Sequence, residues 1–277
     1  MTKNENCFDN IKEYVFVRHS TCKNVCVNPH IHNFYEIHYN ISGAKGYMAN
    51  GVFYKCSKRD LIIIPRLVPH KVMVGCEAPD YERCIINIDR NLLSVLGVVD
   101  TGEQSISDII TGTGDEVRKT NLTAKEHQEF IELIDLYTKQ NTPEEMLGVF
   151  TKILSFLRLC FENLQTPQFM DEKDISHTDR LVMIIEKDLR QSVSEIAEKA
   201  YCSKEHLNRV FKADMGVTVK TYLIQRRLAE AQKYLCMGKN VKEACVLSGF
   251  KNYSNFLRTF KNHIGCSPGE FIRKEWA

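Results

Sequence analysis

The sequence has no apolar run approaching the ~18–20 residues that a membrane-spanning helix needs. Its N-terminal segment, MTKNENCFDN, has no apolar stretch of the signal-peptide kind, so export is not expected. No CxxC pair occurs, which removes the usual spacing signal for a structural zinc site. Eleven cysteines are present, an odd number scattered along the chain, so they do not form a disulfide framework. Free thiols in a reducing cytoplasm fit them best. Cys22 and Cys26 are four apart and could form a redox pair, but plain thiols are the preferred reading. The chain also lacks a strong overall charge, its formal balance being +2.

What is present is the material of an ordinary globular protein, 43% hydrophobic and 26% charged. At 277 residues, about two domains are expected. The small net charge hides an uneven distribution. Residues 177–277 hold 18 Lys+Arg against 11 Asp+Glu, whereas the rest of the chain holds 19 against 24. A basic C-terminal module beside an acidic N-terminal one suggests a polyanionic partner for the former alone.

Residues 12–90 read as short strands. KEYVFVRHS, IHNFYEIHYNI, AKGYMANGVFYKC, DLIIIPR, HKVMV and ERCIINID are rich in Val, Ile, Tyr and Phe. Gly, Asn, Pro and Asp separate them closely, the pattern of an antiparallel sandwich or small barrel. Residues 91–120 are ambiguous; TGEQSISDIITGTGDE reads as loop with a short helix.

From residue 123 the period becomes helical. Thr123 and Glu126 form a candidate capping box, and Phe130, Leu133, Ile134 and Tyr137 a stripe. Pro143 suits the first turn of a second helix, whose stripe runs Met146, Leu147, Phe150, Ile153, Leu154, Leu157 and Phe161. Two apolar-faced helices can pack on the β-domain or pair with a second copy, and both readings stay open. The polar, proline-containing stretch 165–176 reads as the interdomain linker.

Residues 177–274 read as helical throughout and contain a repeat. VSEIAEKAYCSKEHLNRVFKADMG (193–216) and VKEACVLSGFKNYSNFLRTFKNHIG (241–265) share one plan. A short helix carries small and branched apolar residues, with Ala197 and Ala244 small enough for close helix approach. A tight turn follows, with Gly249 in the second copy. A second helix then begins at a capping residue, Ser203 or Asn252, and stops near Gly216 or Gly265. It buries Leu207 and Phe211, or Phe256 and Phe260. This leaves outward Lys204, Glu205, Asn208, Arg209 and Lys212, or Tyr253, Ser254, Arg258 and Lys261. A polar and basic face of that kind suits the DNA major groove.

These segments, together with RRLAEAQKYL and GEFIRK, resemble the DNA-binding domain of AraC/XylS-type regulators over about 174–274. The resemblance implies seven helices and two recognition helices reading successive major grooves on one DNA face. It places Glu205, Asn208 and Arg209, and likewise Tyr253, Ser254 and Arg258, where the family reads bases. Glu205 departs from the common pattern; a carboxylate there can accept a hydrogen bond from cytosine N4. Lys251 and Asn255 depart as well, so the operator sequence stays open.

The informative N-terminal stretch is PHIHNFYEIHYNISGAKGY (29–47). On a strand, His30, His32, Phe34, Glu36 and His38 share one face. The pattern resembles the first cupin motif, and LIIIPRLVPH, ending at His70, resembles the second. The resemblance implies a β-barrel with a central pocket, a sensor domain that AraC-type regulators commonly carry for carbohydrate effectors. No glycine precedes the first motif at the usual place, and no asparagine follows His70. His30, His32, Glu36, His38 and His70 are therefore candidate effector-binding residues. Their alternatives are a transition-metal site of His30, His32, Glu36 and His70, which suits iron, manganese, nickel or zinc, and purely structural histidines.

The expected fold class is α+β. A cupin-like, effector-sensing β-barrel (1–95) is followed by connecting and dimerisation helices (96–164) and the linker (165–176). An all-α domain with two helix-turn-helix motifs (177–277) completes the chain. The expected function is transcription regulation in response to a small polar effector. Its partners would be double-stranded DNA, RNA polymerase and a second copy of the chain, with no membrane, catalysis or required cofactor. The alternative is a metal-dependent cupin enzyme, an isomerase or dioxygenase, fused to a DNA-binding module.

Overall fold

The computed structural model describes residues 15–22, 30–74, 81–97, 110, 117–162, 164, 166 and 168–275. Cys26 lies outside them, as do residues 98–109 and 111–116 of the ambiguous stretch 91–120. The strands among the described residues are β1 (Val15–Cys22), β2 (Tyr35–Asn40), β3 (Gly46–Ala49), β4 (Val52–Lys55), β5 (Asp60–Ile64), β6 (His70–Met73), β7 (Tyr81–Ile88) and β8 (Arg118–Asn121). Helix α1 (Arg90–Gly97) lies between β7 and β8. The hairpin α2 (Ala124–Thr138) and α3 (Pro143–Phe161) follows. The C-terminal helices are α4 (His177–Lys187), α5 (Val193–Lys199), α6 (Lys204–Met215), α7 (Val219–Cys236), α8 (Val241–Leu247), α9 (Tyr253–Ile264) and α10 (Pro268–Glu275).

The strands form two antiparallel sheets, ordered β1-β7-β2-β5-β8 and β4-β3-β6. Their facing sides share a core of Tyr47, Ile62, Ile64, Val68, Val72 and Tyr81. The opposite face of the larger sheet carries Ile37, Tyr39, Leu61, Ile63, Cys84, Ile86 and Ile88, packed against α2 and α3 through Phe130, Ile134, Phe150, Ile153 and Leu157. Covered on both faces, β5 is buried at every position. The hairpin's main apolar faces are thus taken up by the β-domain. Both hairpin helices start at complete capping boxes, Thr123 with Glu126 and Thr142 with Glu145.

Two expectations change. The larger sheet takes β8 from beyond residue 95, so the β-domain reaches into the segment expected to be connecting helices. The stretch 168–170 does not hang free as a linker. Lys55 N donates to Gln168 O at 2.7 Å and Met170 N to Phe53 O at 2.9 Å, so the chain pairs with the otherwise open edge of β4. Its polar composition concealed this because backbone groups make the pairing.

The outer face of the smaller sheet carries Met48 and Phe53. They join Met170, Ile175, Leu181, Val182 and Ile185 in a core continuous with α4–α7. A separate core built on Leu228, Ala231, Ala244, Phe256 and Phe260 holds α7–α10. Helix α7 is common to both and so links the two repeated units.

Candidate effector site and nucleic-acid interface

Strand alternation operates on β2 only from Tyr35 onward; residues 30–34 are not strand. Glu36 and His38 share the face turned toward the smaller sheet, where His38 stacks on Tyr81 and tilts against Tyr47. His30 arrives by a different route. It forms an isolated antiparallel bridge with His70, each residue's N–H donating to the other's carbonyl at 3.1 Å. His32 follows at the start of a bend. The outcome is a compact group: one ligand-type atom from each of His30, His32, Glu36 and His70 lies within 4.8 Å of the others. The structure therefore brings the sequence-predicted set together, although the extended strand expected to align it is absent at 30–34.

Glu36 lies at the centre and is 3% exposed; His38 and His70 are each 1% exposed. His32 Nε2 stands 3.0 Å and His70 Nε2 3.5 Å from Glu36 Oε2. His38 Nδ1 donates to Glu36 Oε1 at 3.3 Å, and His38 Nε2 accepts from the Tyr81 hydroxyl at 2.8 Å. Burial pushes the Glu36 carboxyl upward, but hydrogen bonds from the surrounding imidazoles outweigh it and hold the group well below the usual carboxylate range. Burial lowers His38, only partly offset by Glu36, so that ring stays neutral and acts as an orienting donor. Tyr47, also against His70, is pushed up by burial and keeps its proton.

On its outer side the cluster meets a second feature. A cavity of about 310 Å³ lies between the β-domain and the helical domain. His30 and Pro69 form one wall; Tyr222, Gln225 and Gln232 of α7 and His263 of α9 form part of the other. The domains are also held together by polar contacts that the sequence did not reveal. Arg226, 1% exposed, donates through Nε to both Glu186 oxygens at 2.7 and 2.9 Å, and through Nη2 to Asn50 Oδ1 at 3.0 Å. Asn50 and Gly51 make the β3–β4 turn with φ of 50° and 76°, and a Cβ on Gly51 would meet Glu186 Cβ at 2.6 Å. Lys71 on β6 pairs with Asp179 on α4. A buried arginine within RRLAEAQKYL was the available signal, but its burial is decided only by the tertiary contact.

In the helical domain both repeats adopt the helix-turn-helix plan. Ser203 caps α6 and Asn252 caps α9 through their side chains, and Gly216 and Gly265 end them at φ of 70° and 84°. Gly249 has φ of 90°, with Leu189 O 3.1 Å from where a Cβ would stand. Leu207, Phe211, Phe256 and Phe260 are fully buried. Lys204, Glu205, Arg209, Lys212, Tyr253, Ser254, Arg258 and Lys261 are exposed, as expected. Asn208 differs: it is half-buried, its Nδ2 donating to Lys204 O and its Oδ1 accepting from Val219 N. It joins α6 to the start of α7. Two residues not singled out for base reading hold the arginines: His206 Nδ1 accepts from Arg209 and Asn255 Oδ1 from Arg258.

These features define a two-domain protein in which a β-sheet domain with a buried polar cluster is docked on a paired helix-turn-helix domain. The chain belongs to the AraC type: residues 13–94 match the AraC-like ligand binding domain and residues 196–274 the helix-turn-helix domain. It is 36% identical over 80 residues to the probable transcription factor PqrA of Proteus vulgaris, covering 28% of this chain and 66% of that one. It is 23% identical over 296 residues to the HTH-type transcriptional regulator YdiP of Escherichia coli, covering 98% and 92%. Among solved structures it is similar to ToxT from Vibrio cholerae with unsaturated fatty acid bound, at TM-score 0.41 and 15% identity, covering 98% and 97%. Of the first curated relatives it matches, the chain spans 66%, 61% and 30% of their length.

Proposed function

We propose that the chain regulates transcription by binding double-stranded DNA through α6 and α9, under the control of a small polar effector, a carbohydrate being the leading class. The effector would act at His30, His32, Glu36, His38 and His70 and pass its effect to RNA polymerase through the arrangement of domains. The reading assigns no catalysis to the cluster, places the protein in the cytoplasm and takes the working form as a dimer formed through α2 and α3. The observation that carries it is the doubled unit, two capped helices presenting Lys204, Arg209 and Lys212, and Arg258 and Lys261, to solvent. Exposed Leu136 and Leu159 on the hairpin motivate the dimer. No helix among the described residues is long and apolar enough to cross a membrane.

The test is operator binding by the full chain. Arg209→Ala and Arg258→Ala should each weaken specific binding by roughly 1–3 kcal/mol, the cost of a lost base contact, with circular dichroism unchanged. Operator affinity equal to the parent in both variants overturns the assignment. Sedimentation at tens of micromolar checks the dimer, and a monomer under every effector and DNA condition rejects it.

A further inference from the structure

We propose that Tyr201, in the turn of the first helix-turn-helix, is a DNA-backbone contact whose hydroxyl donates to a phosphate beside the N-terminus of α6. This deepens the regulatory reading above and rests on it. Among the described residues, four other than glycine have left-handed φ: Asn50, Arg59, Leu67 and Tyr201. Three of them are tied into the fold. Asn50 Oδ1 holds Arg226, Leu67 is buried, and Arg59 bonds the backbone of Asn40 and of Leu122. Tyr201 has φ of 52° and is 97% exposed. A bulky side chain is disfavoured in that backbone region, and an aromatic ring standing in water recovers nothing from packing.

The second repeat shows what the backbone asks for at this position. Tyr201 N donates to Glu198 O and Cys202 N to Ala197 O, both at 3.0 Å, the paired bonds of a Schellman helix end whose left-handed residue is usually glycine. In the second repeat Gly249 N donates to Val246 O and Phe250 N to Cys245 O, both at 3.1 Å. Gly249 thus holds the equivalent place, and Leu189 O, 3.1 Å from where its Cβ would stand, crowds any side chain there. The first turn has no such cover. Its side chain runs into solvent, so glycine would serve the backbone and tyrosine serves something outside the fold. Tyr201 stands two residues before Ser203, the cap of α6, and Lys204, the first residue of that helix, is exposed. An α-helix with its side chains is about 10–12 Å across and the major groove about 12 Å wide. A residue just outside the end of a helix lying in the groove therefore comes against the sugar–phosphate wall. Tyrosine hydroxyls are among the groups that donate to phosphate oxygens there. The Schellman bonds fix the Tyr201 backbone relative to α6, so the contact sets the register at which the exposed Glu205 and Arg209 meet the bases.

The experiment uses the full chain and two duplexes, one that the parent recovers from a randomised pool and a scrambled duplex of the same length and composition. Tyr201→Phe removes the hydroxyl alone. Tyr201→Asn removes the ring and puts in its place a residue that takes the left-handed region more readily. The expected result for Tyr201→Phe is affinity lowered about three- to tenfold for both duplexes, the size of one neutral hydrogen bond to a group that carries no sequence information. The slope of affinity against salt stays at the parent's value, because no counterion-displacing charge is lost. Tyr201→Asn binds both duplexes at least as weakly as Tyr201→Phe, with a urea midpoint at or above the parent's. Tyr201→Phe with the parent's affinity for both duplexes overturns the proposal. So does a loss confined to the selected duplex, which marks a base contact, and so does a Tyr201→Asn midpoint below the parent's, since the ring then supports the fold. Unchanged DNA affinity with lost recruitment of RNA polymerase also overturns it and assigns the side chain to a protein partner. Arg209→Ala separates the two readings: if it weakens the selected duplex while Tyr201→Phe does not, only this proposal fails, and if the parent binds no duplex the regulatory reading fails with it.

Discussion

At the scale of single residues, backbone geometry leaves some positions little choice of residue. Gly249 sits at φ of 90° against a backbone oxygen of the preceding unit. Gly249→Ala combines an unfavourable backbone region with a contact 3.1 Å from Leu189 O, so it should destabilise by about 1–2 kcal/mol. Urea unfolding of the full chain is the check, and an unchanged midpoint would contradict the strain argument. The same position was legible in the sequence as a turn glycine because the repeat aligned it. Asn208 was not legible in the same way. Its place on the outward face of α6 suggested base reading, but its amide bonds the first turn of α6 and the start of α7. A short polar side chain near a helix start has two uses, and only the neighbouring backbone decides between them.

At the scale of elements, capping accounts for where helices begin. Thr123 at α2 is typical: its hydroxyl accepts from Glu126 N, and the Glu126 carboxylate accepts from Thr123 N at 2.7 Å. The Thr123 hydroxyl and backbone N–H hold the Glu126 carboxyl below its ordinary range. A carboxylate lowered in the folded state contributes stability above its unfolded pKa and loses it as pH falls through the folded value. Thr123→Ala should therefore cost about 1 kcal/mol at neutral pH and progressively less as Glu126 protonates in acid. Denaturant midpoints of the two proteins at several pH values test this; a difference independent of pH would mean the box is not the cause. Such boxes, the apolar stripes and the doubled unit were readable because they are local patterns. Strand β8 was not: RKTN has no apolar signature, and its burial comes from Lys119 pairing with Asp60 at 2.6 Å on the neighbouring strand. The 168–170 stretch was missed for a related reason, since β pairing through the backbone leaves little trace in composition. The histidine cluster was legible only in part. Period-two alternation assigned Glu36 and His38 correctly, whereas His30 and His32 reach the cluster through the bridge with His70.

At the scale of the whole molecule, the β-domain and the helical domain are coupled by polar ties set beside an apolar contact. Arg226 of α7 bonds Asn50 of the β3–β4 turn, and Lys71 of β6 pairs with Asp179 of α4. Around them lies the apolar contact of Met48 and Phe53 with the α4 region. Hydrogen bonds to charged partners in such settings are worth about 1.5–3 kcal/mol each. A ligand acting by population shift has to change this docking by a comparable amount, because it moves the equilibrium only by its differential affinity for the two arrangements. Asn50→Ala combined with Lys71→Ala removes both polar ties without touching the cluster or either recognition helix. The double variant should populate undocked arrangements. Solution scattering should then give a larger radius of gyration, and amide exchange should quicken in α4 and the β3–β4 turn. Operator affinity should differ from the parent even without effector, and any effector should change it further by less than it does in the parent. A variant with the parent's radius, operator affinity and effector response would show that the docked interface carries no signal between the domains, and control would then have to run through the α2–α3 hairpin and a second subunit instead.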